Sequence, residues 1–168
     1  MKIIHVFDLD DTLVHTTAKM WVCSGDYEFA LSNEEFNDYE LKPEEHYDYK
    51  EFNDTEILCN EQVTSWFMYM KKIFRSGGDV CILSAREDPN MIKSLLDKHK
   101  LQDFPIDMIF CIGDPNKTYK IEDEKAKIIK KLQEQGYTHF WVYDDNEKNL
   151  NAISLLSNDK IKIFTIKI

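Results

Sequence analysis

The segment Phe7-Asp8-Leu9-Asp10-Asp11-Thr12-Leu13 places three carboxylates within four residues, directly after the run Ile3-Ile4-His5-Val6-Phe7. Side chains of an extended chain alternate between faces, so Asp8 and Asp10 can open into one pocket. Exposed turns also collect acids, but this cluster follows a run that reads as buried. Grouped carboxylates at the end of a buried strand need compensation, which a metal ion or a phosphate-binding pocket supplies.

Three further positions carry related chemistry. Leu83-Ser84-Ala85-Arg86 follows a second apolar run. It offers a hydroxyl and a following backbone N–H that can donate to a phosphate oxygen, although Ser is also common where a loop begins. Tyr143-Asp144-Asp145-Asn146 again sets two acids after an apolar run. Lys125 stands nineteen residues before Asp144 (144 minus 125), at the start of a helical pattern, with Lys117 and Lys120 as competitors. A lone Lys in such a Lys-rich stretch is more often solvated, so its assignment rests on position.

The elements that must position these residues follow from periodicity. Ile3 to Phe7, Val80 to Leu83, Met108 to Ile112 and Phe140 to Tyr143 read as buried strands, and Ile161 to Ile168 makes a fifth. A first helical stripe carries Val63, Trp66, Phe67, Met70, Ile73 and Phe74, with Asn60 as cap and Gly77 as stop. A second helix opens at Asp88-Pro89 and sets Ile92, Leu95, Leu96 and His99 on one face. A third carries Ile128, Ile129 and Leu132 and ends at Gly136, and a fourth runs from about Asn146 to Leu156. Strands alternating with helices predict an α/β fold: a Rossmann-like, five-stranded parallel sheet with helices on both faces and ligands beyond the strands' carboxyl ends.

Residues 14–58 break this rhythm. Lys19 to Cys23 and Tyr27 to Leu31 flank Ser24-Gly25-Asp26, a hairpin signal, and Ser32-Asn33-Glu34-Glu35 could cap a short helix. The expectation is one domain over residues 1–168, with 14–58 as a flap or small insertion after the first strand.

The net charge of -10 is concentrated there: residues 26–56 hold twelve Asp or Glu against Lys42 and Lys50, and the remainder is neutral. Nucleic-acid affinity usually depends on a basic surface, so tight nonspecific binding to nucleic acid is not expected. Four widely spaced cysteines and five histidines without a metal-ligand spacing argue against a zinc site, with only His15, close to the acidic cluster, left open. No Gly-x-x-x-x-Gly-Lys loop marks a nucleotide kinase. No apolar run approaches the roughly eighteen residues of a membrane span, and the first residues read as a strand, so a cytoplasmic protein without a membrane partner is expected.

The order Asp8-x-Asp10-x-Thr12, then Ser84, Lys125 and Asp144-Asp145, each at a strand end or helix start, resembles the four signature motifs of the haloacid dehalogenase (HAD) superfamily over nearly the whole chain. The resemblance implies an Mg²⁺-dependent phosphatase. Asp8 would be the nucleophile, and Asp10 the acid for the leaving oxygen and later the base for water. Mg²⁺ would be held by Asp8, the Asp10 carbonyl and Asp144. Ser84 and Lys125 would bind the phosphoryl oxygens, with Thr12 and Asp145 supporting. A second Asp at position 10 favours phosphate esters over dehalogenation or ATPase chemistry.

The pattern Leu83-Ser84-Ala85-Arg86 with Asp144-Asp145 is also similar to the 3′-phosphatase domain of polynucleotide kinase-phosphatases, which implies nucleotide or nucleic-acid terminal phosphates as substrate and Arg86 as a second substrate contact. Asp8 to His15 also looks like the start of phosphatases acting on the RNA polymerase tail, from which Ser84-Ala85-Arg86 departs. Phosphoprotein and small-metabolite substrates remain alternatives. A non-enzymatic phospho-accepting receiver domain uses similar residues, but presents its acidic pair first and its Lys last, whereas here Asp144-Asp145 follows Lys125.

Overall fold

A computed structural model describes residues 1–32, 35–36, 39–114 and 120–168. Strands β1 (Ile3–Phe7), β7 (Val80–Ser84), β8 (Ile109–Cys111), β9 (His139–Asp144) and β10 (Lys162–Lys167) form one sheet in the order β10-β9-β1-β7-β8. Every pairing in it is parallel. The chain steps one way through β1, β7 and β8, then returns to the other side of β1 for β9 and β10. This reversal makes β1 central, and ligands of open α/β sheets bind at the carboxyl ends of strands beside such a switch.

Alternation along the strands divides the interior in two. Phe7, Val80 and Ile82 face α2 (Ser65–Arg75) and α3 (Pro89–Lys98), where Phe67, Met70, Ile92, Leu95 and Leu96 are buried. Ile4, Val6, Cys81 and Leu83 face α4 (Ile121–Glu134) and α5 (Glu147–Ser154), through Ile129, Leu132, Leu150 and Ile153. The fold is therefore α/β with helices on both faces, as the alternating runs predict. The caps follow too: Asp88 accepts from the Asn90 amide with Pro89 in the first turn, Asn146 caps α5, and Gly77 and Gly136 leave α2 and α4 at positive φ.

Several boundaries differ. Asn60 does not cap the Trp66 helix, because it ends a separate short helix, α1 (Thr55–Asn60), and the cap is Thr64, whose hydroxyl accepts from Trp66 and Phe67 N–H. Val63 lies in β6 (Gln62–Val63), paired antiparallel with β2 (Val14–His15), rather than on the helical stripe. β8 is shorter than expected at its start, since Ile106–Met108 form a 3-10 turn after Pro105.

Between β2 and β6 the chain builds more than a hairpin. β3 (Met20–Ser24) pairs with β4 (Tyr27–Leu31) as expected, and β5 (His46–Asp48) adds a third antiparallel strand that its short, polar sequence does not announce. Met20, Val22 and Leu31 form a small core against Phe29, Phe36, Tyr39, Tyr47, Tyr49 and Phe52. Of the expected cap at Ser32-Asn33-Glu34-Glu35, Asn33 and Glu34 lie outside the described residues. Ser32 and Glu35 make reciprocal bonds, with Ser32 N–H to Glu35 Oε2 at 2.8 Å and Glu35 N–H to Ser32 Oγ at 3.3 Å.

The acidity of this segment has a structural use. Glu35, Glu45, Asp48, Glu51 and Asp54 each accept a backbone N–H, from Ser32, Lys42, Lys50, Lys19, and both Glu56 and Ile57. Buried Glu45 also accepts from the Tyr27 and Tyr39 hydroxyls. Among the described residues, no helix is long and apolar enough to cross a membrane.

The Tyr27 hydroxyl, ahead of the opposing effect of burial, lowers the Glu45 pKa. The unfolded chain then binds more protons, so this contribution is complete above the unfolded glutamate value of about 4.3 and is lost as pH falls through the lower folded value. Acid should therefore open the β3, β4 and β5 strands ahead of the parallel sheet. Glu45→Gln should open the same segment at neutral pH and flatten its acid dependence, both read by hydrogen exchange.

Candidate functional site

The carboxyl ends of β1, β7 and β9 deliver most of the residues singled out from the sequence. Asp8 is the first residue beyond β1, and its N–H donates to the Tyr143 carbonyl at 2.9 Å, fixing it against β9. Ser84 and Asp144 are the last residues of β7 and β9. The chain then turns sharply: the Leu9 carbonyl accepts N–H bonds from Thr12, Leu13 and Val14, and Asp11 adopts φ 55°. Asp tolerates that left-handed conformation better than most residues. Here its Oδ1 accepts the Thr16 N–H at 3.0 Å.

Lys125 lies in the second turn of α4 and is 2% exposed. Its Nζ donates to Asp8 Oδ1 at 2.6 Å and to Asp144 Oδ2 at 2.7 Å. Lys120 is instead exposed at the start of α4, and Lys117 lies outside the described residues. Burial works against the Lys125 charge, but Asp8 and Asp144 outweigh it and hold the ammonium above the usual Lys range.

Carboxylate oxygens of Asp8, Asp144 and Asp145 lie within 4.8 Å of one another. Burial, the largest influence, pushes the Asp8 pKa well up despite the pull of Lys125, while Asp144 and Asp10 push the same way. Burial, then Asp144 and Asp11, push half-buried Asp145 to about 6. Three crowded carboxylates therefore share one ammonium and are short of positive charge. Hard oxygen donors crowded in this way could hold a divalent metal ion. The Asp10 carboxylate is not in this group.

Asp10 is held by different partners. Arg86 forms a two-pronged pair with it, Nη2 to Oδ1 at 2.8 Å and Nε to Oδ2 at 3.1 Å, and Thr16 Oγ1 donates to Oδ1 at 2.8 Å. Arg86 is 3% exposed and its Nη1 donates to the Phe52 carbonyl at 2.9 Å. The guanidinium expected to meet substrate is therefore spent on Asp10 and the insertion. Ser84 is fully buried and its Oγ accepts the Arg86 N–H at 3.1 Å, leaving its own proton to donate, while Ala85 is exposed. Thr12 is fully buried, and its Oγ1 has no partner among the described residues, while its carbonyl accepts from Thr64 Oγ1 at 2.6 Å. His15 is exposed in β2.

Sequence reasoning missed three contributors. Asn149 Nδ2 donates to both Asp144 oxygens, at 3.0 and 3.1 Å, and the Asn146 N–H donates to Oδ1 at 2.8 Å, so Asp144 is oriented on every side. An amide one turn into a helix gives no distinctive pattern. Thr16 reaches Asp10 from six residues on. Gly113 lets the β8 end approach the Ser84-Ala85-Arg86 loop: its N–H donates to the Arg86 carbonyl at 3.0 Å, and a Cβ would lie 2.2 Å from the Ala85 carbonyl oxygen.

Neither the family models nor the curated proteins give a match to this chain.

Gly113→Ala must displace backbone at the Ser84-Ala85-Arg86 loop, and an overpacked methyl costs about 1–3 kcal/mol. The variant should melt lower than wild type and than Gly25→Ala, whose added Cβ meets nothing within 4 Å. Equal melting of the two variants would dismiss the close approach.

Proposed function

We propose that this chain is a phosphomonoesterase of the HAD type that works through a phosphorylated Asp8. The observation that carries the reading is the buried Lys125 ammonium joining Asp8 to Asp144, with the Asp145 carboxylate beside them. A crowded acid cluster held by one buried cation is the arrangement expected of a site that takes an anionic ester together with a divalent metal.

Asp8, Asp144 and the Asp10 carbonyl would hold Mg²⁺, with Asp145 close enough to share. When bound, the ion would screen the repulsion between an anionic nucleophile and an anionic ester. The Asp8 carboxylate attacks phosphorus as the bond to the leaving oxygen breaks, and Asp10 supplies that oxygen's proton. In the second half Asp10 takes a proton from water, which attacks phosphorus and releases inorganic phosphate with Asp8 restored. One carboxyl thus serves as acid and then base. Lys125 Nζ and the Ser84 hydroxyl stabilise charge on the phosphoryl oxygens.

The substrate class we propose is the terminal phosphate of a nucleotide or nucleic acid. It rests on the likeness of Leu83-Ser84-Ala85-Arg86 and Asp144-Asp145 to the polynucleotide 3′-phosphatase pattern. A screen of phosphorylated nucleotides, oligonucleotides, sugars and peptides ranks this class against the others.

With Mg²⁺ the protein should hydrolyse an aryl phosphate, and excess chelator should abolish the activity. Asp8→Asn should lower turnover by several orders of magnitude and prevent beryllium fluoride from occupying the nucleophile. Turnover at the wild-type rate in this variant would refute the reading.

Loss of a charged transition-state contact costs about 3 kcal/mol, roughly a hundredfold in rate, whereas a solvated Lys costs almost nothing. Lys125→Ala should therefore lose at least that factor, and Lys120→Ala should retain wild-type turnover. The opposite ranking would remove Lys125 from the phosphate.

A further inference from the structure

Arg86 sits between two parts of the molecule that the mechanism treats separately. On one side its guanidinium grips the Asp10 carboxylate with Nε and Nη2. On the other, Nη1 donates to the Phe52 carbonyl at 2.9 Å, and the guanidinium carbon lies 5.1 Å from the centre of the Phe52 ring. A guanidinium is planar and rigid, so bonds to opposite edges fix each other's geometry. At 3% exposure, water cannot readily replace either partner.

Phe52 is not a loose loop residue. Its neighbour Glu51 accepts the Lys19 N–H and the Trp21 indole N–H, each at 2.8 Å, which ties it to β3. On the other side, the Asn53 N–H donates to the Tyr49 carbonyl at 3.1 Å. The Phe52 ring belongs to the small core of the insertion. The second strand of chain joining the insertion to the site also ends on Asp10, through Thr16 Oγ1 at 2.8 Å. Thr17 and Ala18, next along, donate their N–H groups to buried Glu61 at the far end of the insertion. Outside this system, the Asn53 side chain reaches exposed Glu87 at 3.2 Å, a contact open to water and worth little.

We propose that Arg86 is a positioning residue that couples the three-stranded insertion to Asp10, so that the insertion's seating sets where the Asp10 carboxylate stands. Phe52 holds the guanidinium and the guanidinium holds Asp10. A shift of the insertion, as when a substrate enters beside it, alters the group that delivers and removes the proton while leaving Asp8, Lys125 and Asp144 in place. Arg86 then acts on the leaving-group side of the reaction and does not bind phosphate. The coupling itself is a property of the folded chain, and only its kinetic consequence rests on the phosphatase reading.

Hydrogen exchange tests the coupling without reference to activity. Amides of residues 46–54 would be followed in wild type, Asp10→Asn, Arg86→Gln, Arg86→Lys and Asp8→Asn, with amides of β1 and β9 as internal reference. Asp10→Asn and Arg86→Gln should each speed exchange at 46–54 at least severalfold relative to the reference, the double variant should be no faster than the faster single, and Arg86→Lys should recover part of the protection. Asp8→Asn should leave 46–54 unchanged. Unaltered exchange in Asp10→Asn, or equal acceleration in Asp8→Asn, overturns the proposal.

The kinetic arm compares an aryl with an alkyl phosphate, since the poorer leaving group depends more on Asp10. Arg86→Gln should lower kcat for the alkyl ester at least tenfold more than for the aryl ester at little change in KM, with partial rescue by Arg86→Lys. An equal rise in KM for both esters would make Arg86 a phosphate contact and overturn the proposal. A wild-type protein that hydrolyses neither ester refutes the phosphatase reading, and the exchange pattern still decides the coupling.

Discussion

Lys125 is 2% exposed, and the oxygens it serves on Asp8 and Asp144 belong to residues that are 7% and 2% exposed. Taking any of these charges out of water alone would cost several kcal/mol, and removing one partner of a buried pair typically costs about 3–5 kcal/mol. The site is therefore tolerable only as a set. That requirement fixes much of the fold around it: β1 and β9 must be neighbours in register, and α4 must return across the sheet so that its second turn ends over both strand ends. Helix, strand and strand meet at one ammonium, and the sheet's reversal at β1 is what brings them there.

The charge balance is local and incomplete. Asn149 and the Asn146 amide orient Asp144 with neutral donors, which fix direction without cancelling charge. Asp145 adds a third carboxylate whose pKa burial and Asp144 raise to about 6. The arrangement stores an unmet demand for positive charge at the mouth of the strands. Asp10, two residues from Asp8, is kept out of this demand because Arg86 serves it separately. Two cations thus divide the acids, Lys125 pairing with Asp8 and Asp144 and Arg86 with Asp10.

What was legible in the sequence is what local pattern encodes. The runs around Ile4, Cys81, Phe140 and Ile163 are long and apolar enough to be strands, and Asp8, Ser84 and Asp144 follow them directly. Lys125 stands apart from Lys117 and Lys120 in the sequence by its helix-start position and its spacing to Asp144, and the structure buries it against Asp8 and Asp144. The Arg86–Asp10 pair joins residues 76 apart and has no local signature. Gly113 reads as an ordinary loop glycine until the approach of the Ala85 carbonyl is seen. Val63 was misassigned because one apolar residue fits both a helical stripe and a two-residue strand, and only the partner β2 decides between them.

In the insertion, acids do more than carry charge. Twelve acids in residues 26–56 suggest a repulsive surface, yet at least five of them satisfy backbone amides in a segment with few apolar residues to spend. A carboxylate accepting a backbone N–H makes a charge-assisted bond, stronger than its neutral counterpart. A sheet of three short strands, whose small core is largely aromatic, gains from each such brace. The same device explains how so small an element can hold Phe52 firmly enough to matter at Asp10: Glu51 anchors the residue before it to β3, and the Asn53 amide anchors the residue after it to Tyr49. Five of the twelve acids thus help to build the insertion without a large core.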